Sequence, residues 1–276
     1  SEYPYLFGGK ELNEDFGLGW YDHGARWRDP WSTLWGQVDP LADIYTSYSP
    51  YGYVLNRPLN AIDPDGKLVI FINSFTPIKS NQGSRSYWGK FASGVEKHFG
   101  ENPNKSLFVH GGNELSRGLR LANGFVTGAK YADQILDIIV DENGHVTETI
   151  KIITHSMGAA FGKGFVKALS RAAKRRGVKG VPITLVADFD PFQAKGLKAE
   201  PNIFTQQFTQ EGGVFEGGLM EAPWLANQRQ KGADEQHDDK DESSHSISTF
   251  IDNINELKEG TYIWNGNEWE LQDDKK

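Results

Sequence analysis

Lys151-Ile152-Ile153-Thr154-His155-Ser156-Met157-Gly158 runs without a break into Ala159-Ala160-Phe161-Gly162. Thr149–Ile153 alternates and is rich in β-branched side chains, which suits a buried strand. From Ala159 to Arg175 the pattern turns helical. Between the two lies a turn too short for anything but a sharp reversal, with Ser156 at its apex and Gly158 behind it. Such a strand–turn–helix is expected to push the Ser156 hydroxyl out towards solvent, where a base can reach it. The following helix N-terminus supplies backbone N–H groups and the positive end of a helix dipole, which suit a developing oxyanion.

The elbow pattern has glycine two residues before the serine; here that position is Thr154, where helix and strand crowd. Ala159, Ala160, Gly162 and Gly164 supply the closeness on the helix side. The stretch His155-Ser156-Met157-Gly158 resembles the nucleophile elbow of α/β-hydrolase lipases.

Composition narrows the choices. The chain has 276 residues, 38% hydrophobic and 24% charged, ordinary for a globular protein. A net charge of −8 disfavours a nucleic-acid partner, which calls for a basic face. The lack of cysteine excludes disulfides, thiol catalysis and Cys-ligated metals. No apolar run is long enough to span a bilayer. Ser1–Lys10 lacks the basic start and apolar core of a signal peptide. The chain begins in mid-pattern, so a piece of something larger is expected.

Residues 1–66 are crowded with Tyr, Trp, Gly and Pro and lack helical periodicity. Turn signals such as Asp22-His23-Gly24, Asp39-Pro40 and Asp63-Pro64-Asp65-Gly66 imply short strands and tight turns. Beyond Lys67, strands and helices alternate. Strands are expected at Leu68–Asn73, Ser106–His110, from Ile150, at Val181–Ala187 and at Ile203–Phe208. Helices are expected at Ser84–Phe99, within Arg117–Val140, after the elbow and at Ser244–Leu257. Gln228–Ser243 reads as a charged surface loop, Gly212–Trp224 as a lid or a packed loop, and 261–271 as a Trp-rich hairpin around Asn265-Gly266. Alternating strands and helices give a mostly parallel sheet covered on both faces, with ligands at the carboxyl ends of the strands.

The first 66 residues resemble the C-terminal end of an Rhs/YD-repeat core of the type common in Bacteroidetes. The resemblance rests on Tyr5-Leu6-Phe7-Gly8-Gly9-Lys10-Glu11-Leu12, Gly17-Leu18-Gly19-Trp20-Tyr21-Asp22-His23-Gly24, Val38-Asp39-Pro40-Leu41-Ala42, Ser49-Pro50-Tyr51-Gly52-Tyr53 and Ile62-Asp63-Pro64-Asp65-Gly66. It implies an Rhs core remnant at 1–66 and an α/β-hydrolase, lipase-like toxin domain at 67–276. It also implies a β-cocoon in the parent protein, a cognate immunity protein, a secretion apparatus such as type VI, and delivery as a secreted effector into a target cell. Some members cut themselves at Asp-Pro-x-Gly-Leu motifs. Asp39-Pro40 lacks the Gly-Leu and Asp63-Pro64 ends in Lys67, so both pairs read as turns.

A serine hydroxyl needs a base. Of seven histidines, only His237 and His245 follow Ser156. The hydrolase resemblance orders the site as serine, acid, histidine, with the histidine near the start of the last helix. His245 fits that place, whereas His237 lies in the acidic stretch. His155 adjoins the nucleophile but should point away from it. For the acid, Asp190 is similar to the Asp-Pro at the corresponding strand end of pancreatic-type lipases; Asp188 and Glu211 remain alternatives. The oxyanion donors are expected at Met157 and around Ser74 and Phe75, with His110-Gly111-Gly112 ranked second.

The expected activity is a serine esterase of lipase type acting on an ester or lipid substrate, with membrane phospholipid implied by the resemblance. No cofactor or metal is called for. The rivals are an acyltransferase or amidase on the same triad and a degenerate hydrolase fold kept for binding. A nuclease ranks third.

Overall fold

The computed structural model describes residues 11–13, 19–22, 27–28, 68–101, 106–210, 228–239, 246–265 and 269–272. The proposed junction at Gly66–Lys67, both Asp-Pro pairs, the lid stretch Gly212–Trp224, Glu211 and His245 lie outside them. Within the aromatic N-terminal part, β1 (Glu11–Asn13), β2 (Trp20–Asp22) and β3 (Trp27–Arg28) form a small antiparallel sheet. Short strands split by turns are what its glycine- and aromatic-rich sequence predicts.

The rest is built on a six-stranded sheet of β4 (Leu68–Asn73), β5 (Leu107–His110), β6 (Ile150–His155), β7 (Ile183–Phe189), β8 (Thr205–Gln210) and β9 (Glu235–Asp239). The order is β5-β4-β6-β7-β8-β9, and every neighbouring pair is parallel. Three helices join the strands: α1 (Arg85–Phe99), α2 (Arg117–Ile139) and α3 (Gly158–Arg176).

Period-two alternation distributes the side chains between two cores. Ile70, Ile72, Ile150 and Ile152 meet Ile135 of α2 and Phe165 of α3 on one face. Phe71, Ile153, Phe189 and Phe208 meet Trp88 and Phe91 of α1 and the C-terminal Phe250 on the other. Each fully buried aromatic or aliphatic side chain contributes roughly 2 kcal/mol of transfer free energy. Strands β4, β6 and β7 are buried along their whole length, as a sheet covered on both faces requires. Helices α2 and α3 touch backbone to backbone: a Cβ on Gly124 would fall 1.9 Å from the Phe161 carbonyl oxygen.

Two sequence expectations fail. The helix expected at Ser244–Leu257 is instead, within its described part, two short 3-10 turns, Ile247–Phe250 and Asp252–Glu256. Its β-branched residues and asparagines favour helix poorly. Phe250 and Ile254 still reach the core, but Ile251 between them is 42% exposed. The surface loop expected at Gln228–Ser243 contains β9, which closes the sheet on the far side. Its charge misled the reading, because an edge strand tolerates charged side chains where a central one does not. Strand β7 also runs two residues beyond its expected end, so Asp188 lies inside it. The hairpin is present as β10 (Tyr262–Trp264) and β11 (Trp269–Leu271), with Trp264 opposite Trp269.

Candidate active site

Ser156 takes a positive φ of 52°, rare for a residue with a side chain, at the turn from β6 into α3. Holding it there costs on the order of 1 kcal/mol or more, so the surroundings must enforce it. Its amide donates to the Phe189 carbonyl at 2.8 Å, and its own carbonyl accepts from the Phe192 amide at 3.1 Å. The elbow is thus fastened to the end of β7. Gly158 allows the helix to start against β4, since a Cβ there would lie 2.5 Å from the Ile72 carbonyl oxygen. Thr154 fits in place of the usual glycine because Gly162 faces its methyl group; a Cβ on Gly162 would come within 2.7 Å of it.

Ser156 is only 4% exposed, so the hydroxyl is not thrust into open solvent as expected. Ser74, Met157, Asp190 and Phe192, all nearly buried, lie around the carboxyl ends of β4, β6 and β7. The Met157 amide donates to Ser74 Oγ at 3.3 Å, so these two expected oxyanion contributors do meet. Phe75 is 44% exposed on the same loop. Gly111 presses on Gly158, and its amide is engaged by the Asn73 carbonyl at 3.0 Å. His110 Nε2 pairs with Asn113 Oδ1. Gly111 therefore supports the elbow, while Gly112 faces the Glu114 side chain.

The two aspartates of β7 have different surroundings. Asp188 stands in register with Thr154 and points to the α3 side. Its carboxylate accepts from Thr154 Oγ1 (2.6 Å), Lys163 Nζ (2.6 Å) and Gln230 Nε2 (2.7 Å). Asp190, one residue beyond the strand, has φ 42°. Its Oδ1 accepts from the Gln210 amide at 3.0 Å, and its own amide donates to the Phe208 carbonyl at 2.8 Å. It sits one residue after Phe189, whose carbonyl holds the Ser156 amide. The strained segment continues to Gln193, φ 60°. Behind it the buried Arg120 of α2 donates to Gln193 Oε1 and lies over the Phe192 ring. Burial lowers its guanidinium to about 10, opposed by Glu114 and reinforced by Arg117.

His237 is not in a solvated loop. It occupies β9, in the register row His155–Phe189–Phe208–His237, three strands from β6. Its ring stacks on Phe208 and its Nδ1 meets Glu256 Oε2 at 2.6 Å. His155 faces the α1 side, where its Nδ1 is hydrogen-bonded to the Tyr87 hydroxyl.

Sequence reading missed Tyr87, Lys163, Gln230 and Arg120. Lys163 carried a usable signal: a lone cation in the run Ala159-Ala160-Phe161-Gly162-Lys163-Gly164-Phe165 demands a buried partner. Tyr87 had none, since its phenol meets the site only through tertiary packing. Among the described residues, no group of three His, Asp or Glu side chains is placed to hold a metal, and no helix is long and apolar enough to cross a membrane.

Strand order and elbow make the architecture α/β-hydrolase-like. No protein-family model matches the chain. Over an alignment of 111 residues, covering 33% of this chain, it is 30% identical to Salivary gland surface protein 1 of Aedes aegypti. The chain spans about 3% of the length of that curated relative. Among solved structures it is similar to RedJ with a PEG molecule bound in the active site: 12% identity, TM-score 0.37, 71% of this chain and 92% of that one. It is similar also to the RedJ thioesterase from the prodiginine biosynthetic pathway of Streptomyces coelicolor (11%, TM-score 0.37, 70% and 87%). Aspergillus fumigatus lipase B shares 9% identity at a TM-score of 0.34, over 60% of this chain and 42% of that one.

Proposed function

We propose that the chain is a serine esterase of lipase type. The observation that carries the reading is the strained Ser156, with the Met157 amide and Ser74 on one side and Asp190 at the end of the adjoining strand. A turn that stores strain around a hydroxyl beside an N–H donor and a carboxylate is what acyl transfer needs.

Ser156 Oγ attacks the ester carbonyl carbon while its proton passes to the His245 imidazole. The carbonyl π pair moves to oxygen and is held by the Met157 amide and a donor at Ser74 or Phe75. Collapse breaks the carbon–oxygen bond to the leaving group, which takes the proton back from His245. Water, deprotonated by the same imidazole, then releases the acid and restores Ser156. Asp190 orients the imidazole and stabilises its charged form. Asp188 is the weaker acid candidate, because Lys163, Thr154 and Gln230 already engage it. Glu211 directly follows β8 and remains the other alternative.

Chain length supports His245 as the base. Strand β9 lies three spacings from β6, on the order of 14 Å. Residues 240–245 after β9 can extend on the order of 20 Å. His237 lies within β9 itself and is paired with Glu256 and Glu235.

The resemblance of residues 1–66 to an Rhs core supports the finer reading. Residues 67–276 then act as an effector on membrane phospholipid of a rival cell, restrained by an immunity protein and delivered by a secretion apparatus. Hydrolysis of short and long acyl esters tests the chemistry, with Ser156→Ala and His245→Ala as controls and product analysis to separate hydrolysis from acyl transfer. Mass spectrometry of whole lipid extracts from cells expressing the chain tests the substrate; an unchanged lipid profile would overturn the phospholipid assignment.

A further inference from the structure

Beside the nucleophile, exposed leucines and cations share one surface, on a chain whose net charge is −8. Printed contacts carry the path from one to the other. The Phe192 amide donates to the Ser156 carbonyl at 3.1 Å, and the next residue, Gln193, accepts from Arg120 Nη2 at 2.9 Å. Arg120 Nη1 donates to the Leu115 carbonyl at 2.9 Å. Leu115 and Leu119, at the start of α2, are 69% and 56% exposed. Arg117 lies between them, and its guanidinium covers Gly196: a Cβ on that glycine would fall 1.7 Å from Nη1. Leu197 clusters with Ala159 and Ala160 of the first turn of α3, so this segment lies against the elbow helix. Lys195 and Lys198 of the same segment are exposed. Lys198 is bridged in parallel to Lys231, also exposed, whose amide donates to the Leu197 carbonyl at 3.1 Å.

A lone exposed leucine or lysine needs no explanation. Two such leucines beside four cations do. Elsewhere on the surface cations find carboxylates: Arg176 meets Asp137, Arg229 meets Asp238 and Lys258 meets Glu235. Among the described residues, Arg117, Lys195, Lys198 and Lys231 form no such pair. Glu114 and Glu200, the acids next to the group in sequence, are half-buried. An acidic protein would have to bring its carboxylates to fixed places. A lipid surface is fluid and offers both halves at once, anionic headgroups to the cations and the acyl boundary to the leucines.

We propose that Leu115, Arg117, Leu119, Lys195, Lys198 and Lys231 dock the chain on an anionic lipid surface, with Ser156 beside the contact. The inference deepens the lipase-type reading and rests on it for the substrate. The docking itself requires no chemistry, so the two can fail separately.

The test is co-sedimentation of the full chain, as Ser156→Ala to keep the lipid intact, with phosphatidylcholine vesicles that contain or lack phosphatidylglycerol. Binding should be at least about tenfold tighter to the anionic vesicles. Raising salt from about 0.1 M to about 1 M, which shortens the screening length from about 10 Å to about 3 Å, should remove most of that preference. Lys195→Glu combined with Lys198→Glu should weaken binding to anionic vesicles roughly thirtyfold or more, at about fivefold for each cation lost. Leu115→Ser combined with Leu119→Ser should weaken it roughly tenfold. With Ser156 restored, both double variants should hydrolyse a soluble short ester within about twofold of the wild-type rate and lose activity on long acyl esters in anionic vesicles.

No binding to either vesicle, equal binding to both, or full binding by the charge-reversed variant overturns the docking surface. Binding that follows the expected order in a chain that hydrolyses no ester overturns the esterase reading and leaves the docking surface in place.

Discussion

The two ends of the sheet solve different problems with similar residues. At the amino end, Lys151 of β6 is fully buried and is met by Glu101 at 3.1 Å and Glu259 at 3.2 Å, with Thr149 as a further acceptor. Glu259 also accepts from Thr184, and its side chain is 33% exposed. Two carboxylates share one cation there, and one of them keeps contact with water. At the carboxyl end, Lys163 has Asp188 as its carboxylate, in a pair sealed from solvent. Backbone strain is distributed just as unevenly. Of the four described non-glycine residues with positive φ, Ser156, Asp190 and Gln193 follow the carboxyl ends of β6 and β7, and only Asn202 lies near an amino end. Asparagine tolerates that conformation best of the four. The amino end is thus redundant and relaxed, while the carboxyl end is singly paired and strained. On the proposed function, the strained and singly paired end is the one where stability is given up for chemistry.

The comparison breaks first at Ser156. On the proposed mechanism, Ser156→Ala lowers ester turnover on the order of 10⁴-fold or more, measured as kcat/KM on a short acyl ester. Residual activity near the wild-type value would remove the carboxyl end from the chemistry. Next in size is Asp188→Asn. It leaves the Lys163 ammonium buried without its carboxylate and should cost about 3 kcal/mol or more in urea unfolding. At the amino end, Glu101→Gln should cost less, about 1–2 kcal/mol, because Glu259 still balances Lys151. Equal losses at the two ends would dissolve the contrast.

How legible these ends were in the sequence follows from how local each signal is. The elbow was readable because Ile150–His155 and Ala159–Arg175 switch period around a single serine. The parallel order followed from alternating elements, and β4 through β7 were placed close to where they lie. The 3-10 turns after Ser246 were not readable, since Ile247, Phe250 and Ile254 have helical spacing and bury as helical residues would. Strand β9 was hidden because Glu235–Asp239 looks like a solvated loop unless its backbone partner Gln206–Gln210 is known. The different surroundings of Asp188 and Asp190 were invisible for the same reason. Residues two apart on a strand face the same way by alternation, but Asp190 has left the strand and turned through a positive φ.

The remaining predictions sharpen the contrast. Ser156→Gly should abolish turnover yet raise stability by about 1 kcal/mol, because glycine adopts φ near 52° without strain. A loss of stability instead would mean that the turn is not strained. The smallest effect lies at the amino end and concerns Glu259. Burial raises its pKa, but Thr184 and Lys151, with Thr149, outweigh burial and hold the group below the ordinary glutamate value of about 4.5. A carboxyl group lowered on folding binds fewer protons in the native than in the unfolded chain. Its stabilisation is therefore complete above about pH 4.5 and fades as the pH falls through the native value. Glu259→Gln should flatten that acid limb in thermal melts between neutral pH and pH 3, by less than about 1 kcal/mol since the side chain is partly solvated. An unchanged limb would show that Glu101 alone balances Lys151, and the redundancy ascribed to the amino end would then be lost.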